Sequence, residues 1–244
     1  QRTWPVLWKP DYSRPASFRF KGYAAVQRPS QLGNYLRLAY DRNQPWERDI
    51  AWFNRCVVDL EVATPRSYLI PQSWREVINR LQWNDVVLER LAEDQVLSGQ
   101  VYQIDDVVSR PGPYEGHMFH DGVTLHSVDA TVKARAGDVL VHLDQPRARY
   151  AVETLEPQAH DSFFRWGFFN SILEKKEAFS DYVFEDTAQE MLEQEPALRE
   201  AFARWQAENP AKLSDQQAVL SFIFATGQRH AEPEWRRYPV LRVM

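Results

Sequence analysis

The chain has 244 residues, of which 44% are hydrophobic and 13% aromatic. That is enough apolar material for one large domain or two small ones, and too much for a disordered chain. A formal net charge of −5 argues against general nucleic-acid binding, the lone Cys56 excludes an internal disulfide, and no run of eighteen apolar residues offers a membrane-spanning helix.

Cys56 has no activating His or acid beside it and reads as a small buried apolar residue. Charge is uneven: residues 1–50 carry nine bases against four acids, and residues 153–200 carry twelve acids against four bases. Two solvated faces would explain this, as would a basic N-terminal segment lying against the acidic part or against a missing partner domain. The chain starts at Gln1 without a basic-then-apolar leader, so a piece of a longer precursor is expected.

Residues 1–15, with three prolines and two tryptophans (Trp4, Trp8), read as an extended connector anchored by its rings. Segments 17–27, 34–41 and 50–63 alternate large apolar and polar residues and predict strands. SYLIP (67–71) is a short strand stopped by Pro71. Trp74, Val77, Ile78 and Leu81 then fall on one helical face, with Ser73 as N-cap, before a return to strand over 85–91. Residues 96–143 read as β throughout, with turns at Gly112, Asp121-Gly122 and Gly137-Asp138, which suggests a sandwich-like sheet.

Beyond Pro157 the pattern is mainly helical. Asp161 is expected to cap a helix reaching about Lys176, and Pro196 opens a helix carrying Leu198, Phe202 and Trp205. Asn209-Pro210 ends it, Ser214 or Asp215 starts another with Val219, Phe222 and Ile223, and YPVLRV (238–243) is an extended tail. The expected fold class is therefore α+β: a β-sandwich-like sheet with a strand–helix–strand unit and a helical C-terminal part. The expected division is 1–66 (connector and strands), 67–157 (strand–helix–strand unit and β-rich region) and 158–244 (helices on the same core).

Two groups are candidates for chemistry. Glu115, His117, His120 and His126 form the most metal-like cluster, provided that a turn at Asp121-Gly122 folds His126 back on His120. Hydrogen-bonded surface histidines and contact with a partner domain are the competing readings. Glu153 and Glu156 share a face if 146–156 is helical, which suits either paired acid–base carboxylates or structural anchors for Arg149 and backbone amides. Nine tryptophans and ten tyrosines also admit a glycan- or peptidoglycan-binding module, if several rings prove coplanar and exposed.

PRARYAVETLEPQAHDSFFRWGFF (146–169), SYLIPQSWREVINRLQWNDVVLERL (67–91), RPGPYEGH (110–117) and the Phe20-Lys21-Gly22-Tyr23 start together resemble the region C-terminal to the catalytic domain in bacterial zinc carboxypeptidases of the M14 family. Such an enzyme needs a His-x-x-Glu pair and a distant His around zinc, and none of His117, His120, His126, His142, His160 or His230 is followed by Glu at the third position. The resemblance thus implies a non-catalytic ancillary domain with no catalytic residue, metal ligand or cofactor of its own. Its implied partner is the missing catalytic domain, which carries the zinc and removes C-terminal amino acids. It implies a secreted or periplasmic location.

Overall fold

A computed structural model describes residues 3–174, 179–227 and 234–244, and the chain divides into two compact units, 1–64 and 65–244. His230 lies outside the described residues.

The first unit is built from two antiparallel ribbons. Strand β1 (Thr3–Pro10) pairs with β4 (Cys56–Ala63), and β2 (Ala16–Pro29) pairs with β3 (Leu36–Trp52). Residues 3–10 are thus a strand paired with β4 and not only the expected ring-anchored, extended connector. Pro5 and Pro10 are tolerated because a two-stranded ribbon leaves every strand an edge strand, where a missing amide hydrogen can face outward. In the β2–β3 ribbon the two faces differ. Phe18 lies 5.3 Å from Trp52 and Phe20 5.7 Å from Trp46 on one face, while Arg19 bonds Glu47 and Asp49, each at 3.1 Å, on the other. Cys56 is exposed, contrary to expectation, at the ribbon end where it pairs with Pro10.

The second unit is organised on an antiparallel sheet of six described strands, in the order β6–β9–β5–β10–β7–β8. Their ranges are β5 Ser67–Ile70, β6 Glu89–Arg90, β7 Gln95–Ser109, β8 His120–Ala134, β9 Val139–His142 and β10 Leu241–Val243. The expected strand–helix–strand unit is β5, helix α1 (Arg75–Trp83) and β6; both strands run antiparallel to the β9 between them and so parallel to each other. Helix α1 buries Val77, Ile78 and Leu81, the face its spacing predicts, but starts after Trp74 with no side-chain cap from Ser73. Trp74 packs instead on Phe169, with centroids 4.7 Å apart.

Three expectations change here. The tail at 238–243 is an interior strand: Leu241–Val243 pairs with β5 on one side and, through Arg242, with β7 on the other. Three paired residues flanked by Pro239 are too short for a periodicity signal. Asp121-Gly122 is not a turn, because both residues lie within β8: Gly122 pairs with Val108, His120 pairs with Ser109, and the register shift between them falls at Asp121. The reversal between β7 and β8 is made at Glu115-Gly116, where both φ angles are positive (49° and 80°) and Tyr114 and His117 exchange backbone hydrogen bonds of 2.8 and 2.9 Å. That is the mirror-image turn that suits strand twist.

The aromatic stretch after Pro157 does not form the expected helix from Asp161. Helix α2 (Ala148–Leu155) ends before it, and residues 159–169 wind through successive turns into a single 3₁₀ turn at Asn170–Ile172. Phe163, Phe164 and Phe169 are buried, and rings needed on several sides at once cannot share a helical stripe. Gly167 sits at φ +76°, and a Cβ there would come within 3.0 Å of the Met118 carbonyl oxygen. Helices α3 (Asp181–Gln194), α4 (Pro196–Glu208) and α5 (Gln216–Thr226) follow, with their own core of Phe184, Met191, Leu198, Leu220, Ile223 and Phe224. Asp215 caps α5 through the Ala218 amide. The unit is α+β with a helical C-terminal part.

Close approach of β10 to β7 requires Gly99, since a Cβ there would lie 2.2 Å from the Arg242 carbonyl oxygen. Gly99→Ala is expected to destabilise the second unit by about 2 kcal/mol through forced overpacking. Urea titration of the variant and parent checks this, and an unchanged midpoint contradicts the tight β7–β10 seam.

Candidate functional site

Glu156 stands where α2 ends, its backbone already extended (ψ 116°), and it is 1% exposed. Tyr68 on β5 donates to its Oε1 at 2.6 Å, Tyr102 on β7 to its Oε2 at 2.7 Å, and Arg242 Nε on β10 to Oε1 at 3.0 Å. Residue 242 pairs with 68 across the ladder and with 100 on the other side, so alternation puts Arg242, Tyr68 and Tyr102 on one face of the sheet. Tyr238, also buried, donates to the Leu155 carbonyl at 2.8 Å.

The surroundings shift these groups. Burial, then Glu156, raises the Tyr68 hydroxyl well above its ordinary 10.0; the same causes raise Tyr102, with Arg242 opposing. Burial pulls the Arg242 guanidinium down, but Glu156, Tyr102 and Tyr68 outweigh it and the net shift is upward. The carboxylate has three protein donors and is 1% exposed, so it acts as an anchor and not as a general base.

The second constellation is open. Arg80 on α1, Glu115 and His117 from the reversal, Tyr150 and Thr154 on α2, and Asp161, Phe163, Trp166 and Phe168 from the turns line a cleft of about 330 Å³. The short backbone reversal presents His117 between Phe168 (4.9 Å, inclined 40°) and the edge of Trp166 (6.0 Å). Tyr114 continues the Trp166 surface at 6.1 Å and 34°. Trp166 is fixed from behind by Phe119, edge-on at 5.0 Å, and by its Nε1 donating to Asp161 Oδ1 at 2.5 Å. Arg80 lies 4.3 Å over Phe168 and pairs with Glu76 at 2.6 Å. Burial first, then Asp161, raises the Tyr150 hydroxyl, with Arg80 opposing.

Of the sequence candidates, Glu115 and His117 meet in this cleft, and the others disperse. His120 is 2% exposed, bonded to Ser109 Oγ (2.9 Å) and Asn170 Oδ1 (2.7 Å). His126 lies six residues along the same strand, about 20 Å away, and pairs with Asp105. The convergence that a turn at 121–122 would give is therefore absent. Glu153 pairs with Arg149 at the surface while Glu156 is buried, so the two carboxylates do not act together. Among the described residues no group of three or more His, Cys, Asp or Glu side chains is placed to hold a metal ion. Arg80, Tyr150, Asp161, Trp166 and Phe168, and the anchors Tyr68, Tyr102 and Arg242, carry no sequence motif. Only the Glu-Gly pair inside PYEGH, a turn dipeptide between strands, points toward the cleft.

The chain is similar to carboxypeptidase 2 of Trichophyton tonsurans and of Trichophyton equinum, 32% identical over 103 residues in each case, which is 42% of this chain and 19% of each relative. A probable carboxypeptidase 2 of Arthroderma benhamiae is 30% identical over 97 residues, 40% of this chain and 18% of that protein. It contains a carboxypeptidase-related region. The chain spans about a fifth of the length of the curated relatives it matches. No family model matches it, and no solved structure does. No described helix is long and apolar enough to cross a membrane.

Glu156→Gln leaves Arg242 buried without its counter-charge and is expected to cost about 3 kcal/mol. Pairing it with Arg242→Met should recover much of that loss, and a double variant as unstable as the sum of the singles contradicts the coupling. The raised tyrosines give a pH signature. A hydroxyl whose folded pKa exceeds its unfolded value contributes stability that is complete below about 10 and drains away as pH rises toward the folded value. Stability is thus expected to fall above pH 10, and Tyr68→Phe to shallow that slope by about 1.4 kcal/mol per pH unit. Equal slopes in denaturant titrations at pH 9–11 contradict this.

Proposed function

We propose that this chain is a non-catalytic, C-terminal ancillary portion of an M14-like zinc metallocarboxypeptidase of bacterial type, secreted or periplasmic. The rest of that enzyme supplies the zinc site and hydrolyses C-terminal peptide bonds. What supports this most is the pairing of two facts: the likeness to carboxypeptidases covers only 19% of their length, and three imidazoles, those of His120, His126 and His142, are engaged separately by different partners. His120 bridges Ser109 and Asn170, His126 pairs with Asp105, and His142 Nε2 lies 2.7 Å from Glu89.

A zinc hydrolase needs three protein ligands around one ion and an open position for water. The buried carboxylate here has the opposite character, since all of its donors are protein groups on neighbouring strands. Such a body stiffens a neighbour by presenting a rigid surface, and it needs no chemistry of its own. The partner in this reading is the catalytic domain of the same polypeptide, and zinc belongs to that domain.

Two measurements test the proposal. The purified chain, supplied with zinc and an N-blocked dipeptide, is expected to release no C-terminal amino acid above the buffer blank, whereas the chain joined to the polypeptide encoded upstream releases it. Chelator-sensitive turnover by the chain alone, or one zinc retained per chain after dialysis, overturns the ancillary role.

A further inference from the structure

We propose that the cleft between α1, α2 and the Glu115-Gly116 reversal binds a neutral saccharide, with Trp166 as the stacking ring and Glu115, His117, Tyr150 and Asp161 as its hydrogen-bonding partners. The cleft lies wholly within the second unit, and its lining owes nothing to a carboxypeptidase role.

Hydrogen-bonding capacity comes first. Tyr150 and His117 line the cleft half-buried, and neither the phenol hydroxyl nor the ring nitrogens make a hydrogen bond to a described residue. Half-buried polar groups left unmatched by the protein, converging on aromatic walls, are the usual composition of a small-molecule site. Phenol and imidazole each donate and accept, and the two carboxylates accept only. That mixture matches ligand hydroxyl groups, which do both.

The charges select the class. Glu115 and Asp161 oppose an anion, while the Arg80 guanidinium over Phe168 is already paired with Glu76. A neutral ligand rich in hydroxyl groups meets no such repulsion and can donate to both carboxylates. The ring it stacks on is already fixed: the Trp166 indole is tied to Asp161 and backed by Phe119, so little side-chain freedom is lost on binding.

Glu115 is in a conformation that a fold would not choose for it. At φ +49° a bulky side chain is strained in a way that Asn or Gly largely avoids. A carboxylate kept at such a position, at the lip of a cleft of about 330 Å³, is explained by what it holds.

The test follows the Trp166 indole N–H of the full chain by NMR while chitotetraose, cellotetraose, phenylalanine or Nα-acetyl-lysine amide is titrated to millimolar concentration. At least one tetrasaccharide is expected to shift it saturably. Glu115→Asn is expected to weaken that binding about tenfold while melting at or above the parent temperature, which separates a binding role from a structural one. Trp166→Ala, if folded, abolishes it. Silence from both sugars, a response only to phenylalanine (a zwitterion site) or only to the lysine derivative (a cation site), or unweakened sugar binding by Glu115→Asn overturns the proposal.

Discussion

A carboxylate withdrawn from water is expensive, and the second unit is arranged around satisfying one. The effective penalty of burying an ion is several kcal/mol, and its attraction to a counter-ion repays that only when the remaining lone pairs also find donors. Glu156 meets that condition with two phenols and one guanidinium, drawn from three adjacent strands. Apolar residues of the same size could hold those strands as firmly. What they would not do is specify register: a slip of one residue in β10 turns Arg242 to the opposite face and leaves the carboxylate bare. Leu241 and Val243, which that slip would exchange for Arg242, belong to the apolar cluster with Leu69 and Val101 on the other face.

From that anchor follows the order in which the unit can be completed. β5 and β7 are not neighbours; β10, from residues 241–243, lies between them. The Tyr68–Glu156 and Arg242–Glu156 bonds join residues 88 and 86 positions apart, so they form only after the intervening chain is placed. Tyr238 extends the same seam, with its amide bonded to the Tyr102 carbonyl and its hydroxyl to Leu155. The aromatic turns are held by the same residue, since Phe164 and Phe169 both meet the Tyr238 ring edge-on. Sheet, α2 and the Phe-rich turns therefore share one polar centre and one ring.

What the sequence revealed divides along the same line. Periodicity located α1 by Val77, Ile78 and Leu81, the two helices with Leu198 and Ile223, and the long β7, because each repeats its signal over several turns or rungs. It could not locate β10, whose three residues owe their place to pairing on both sides, or the turns at 159–169, whose rings face several ways. Asp121-Gly122 carried a stronger hairpin signature than Glu115-Gly116, yet the strand ran through it; Gly122 sits opposite Val108, and the register shifts at Asp121 before His120 meets Ser109. The same error assembled His120 and His126 into a candidate cluster that the strand keeps apart. For Glu156, the carboxylate was visible but its partners at 68, 102 and 242 were not, since their convergence is a product of strand order.

The anchor and the cleft use the same alphabet to opposite ends. Glu156 and Glu115 are both carboxylates near tyrosines and an arginine. One is closed over by donors from three strands; the other stands on a reversal with strained φ, beside a phenol and an imidazole that no described side chain satisfies. Stability accounts for the first and is worked against by the second. α2 joins them: its end delivers Glu156 to the sheet, while Tyr150 and Thr154 on the same helix line the cleft. A rigid interior thus fixes the position of an open wall, which is what a binding surface requires of the body that carries it.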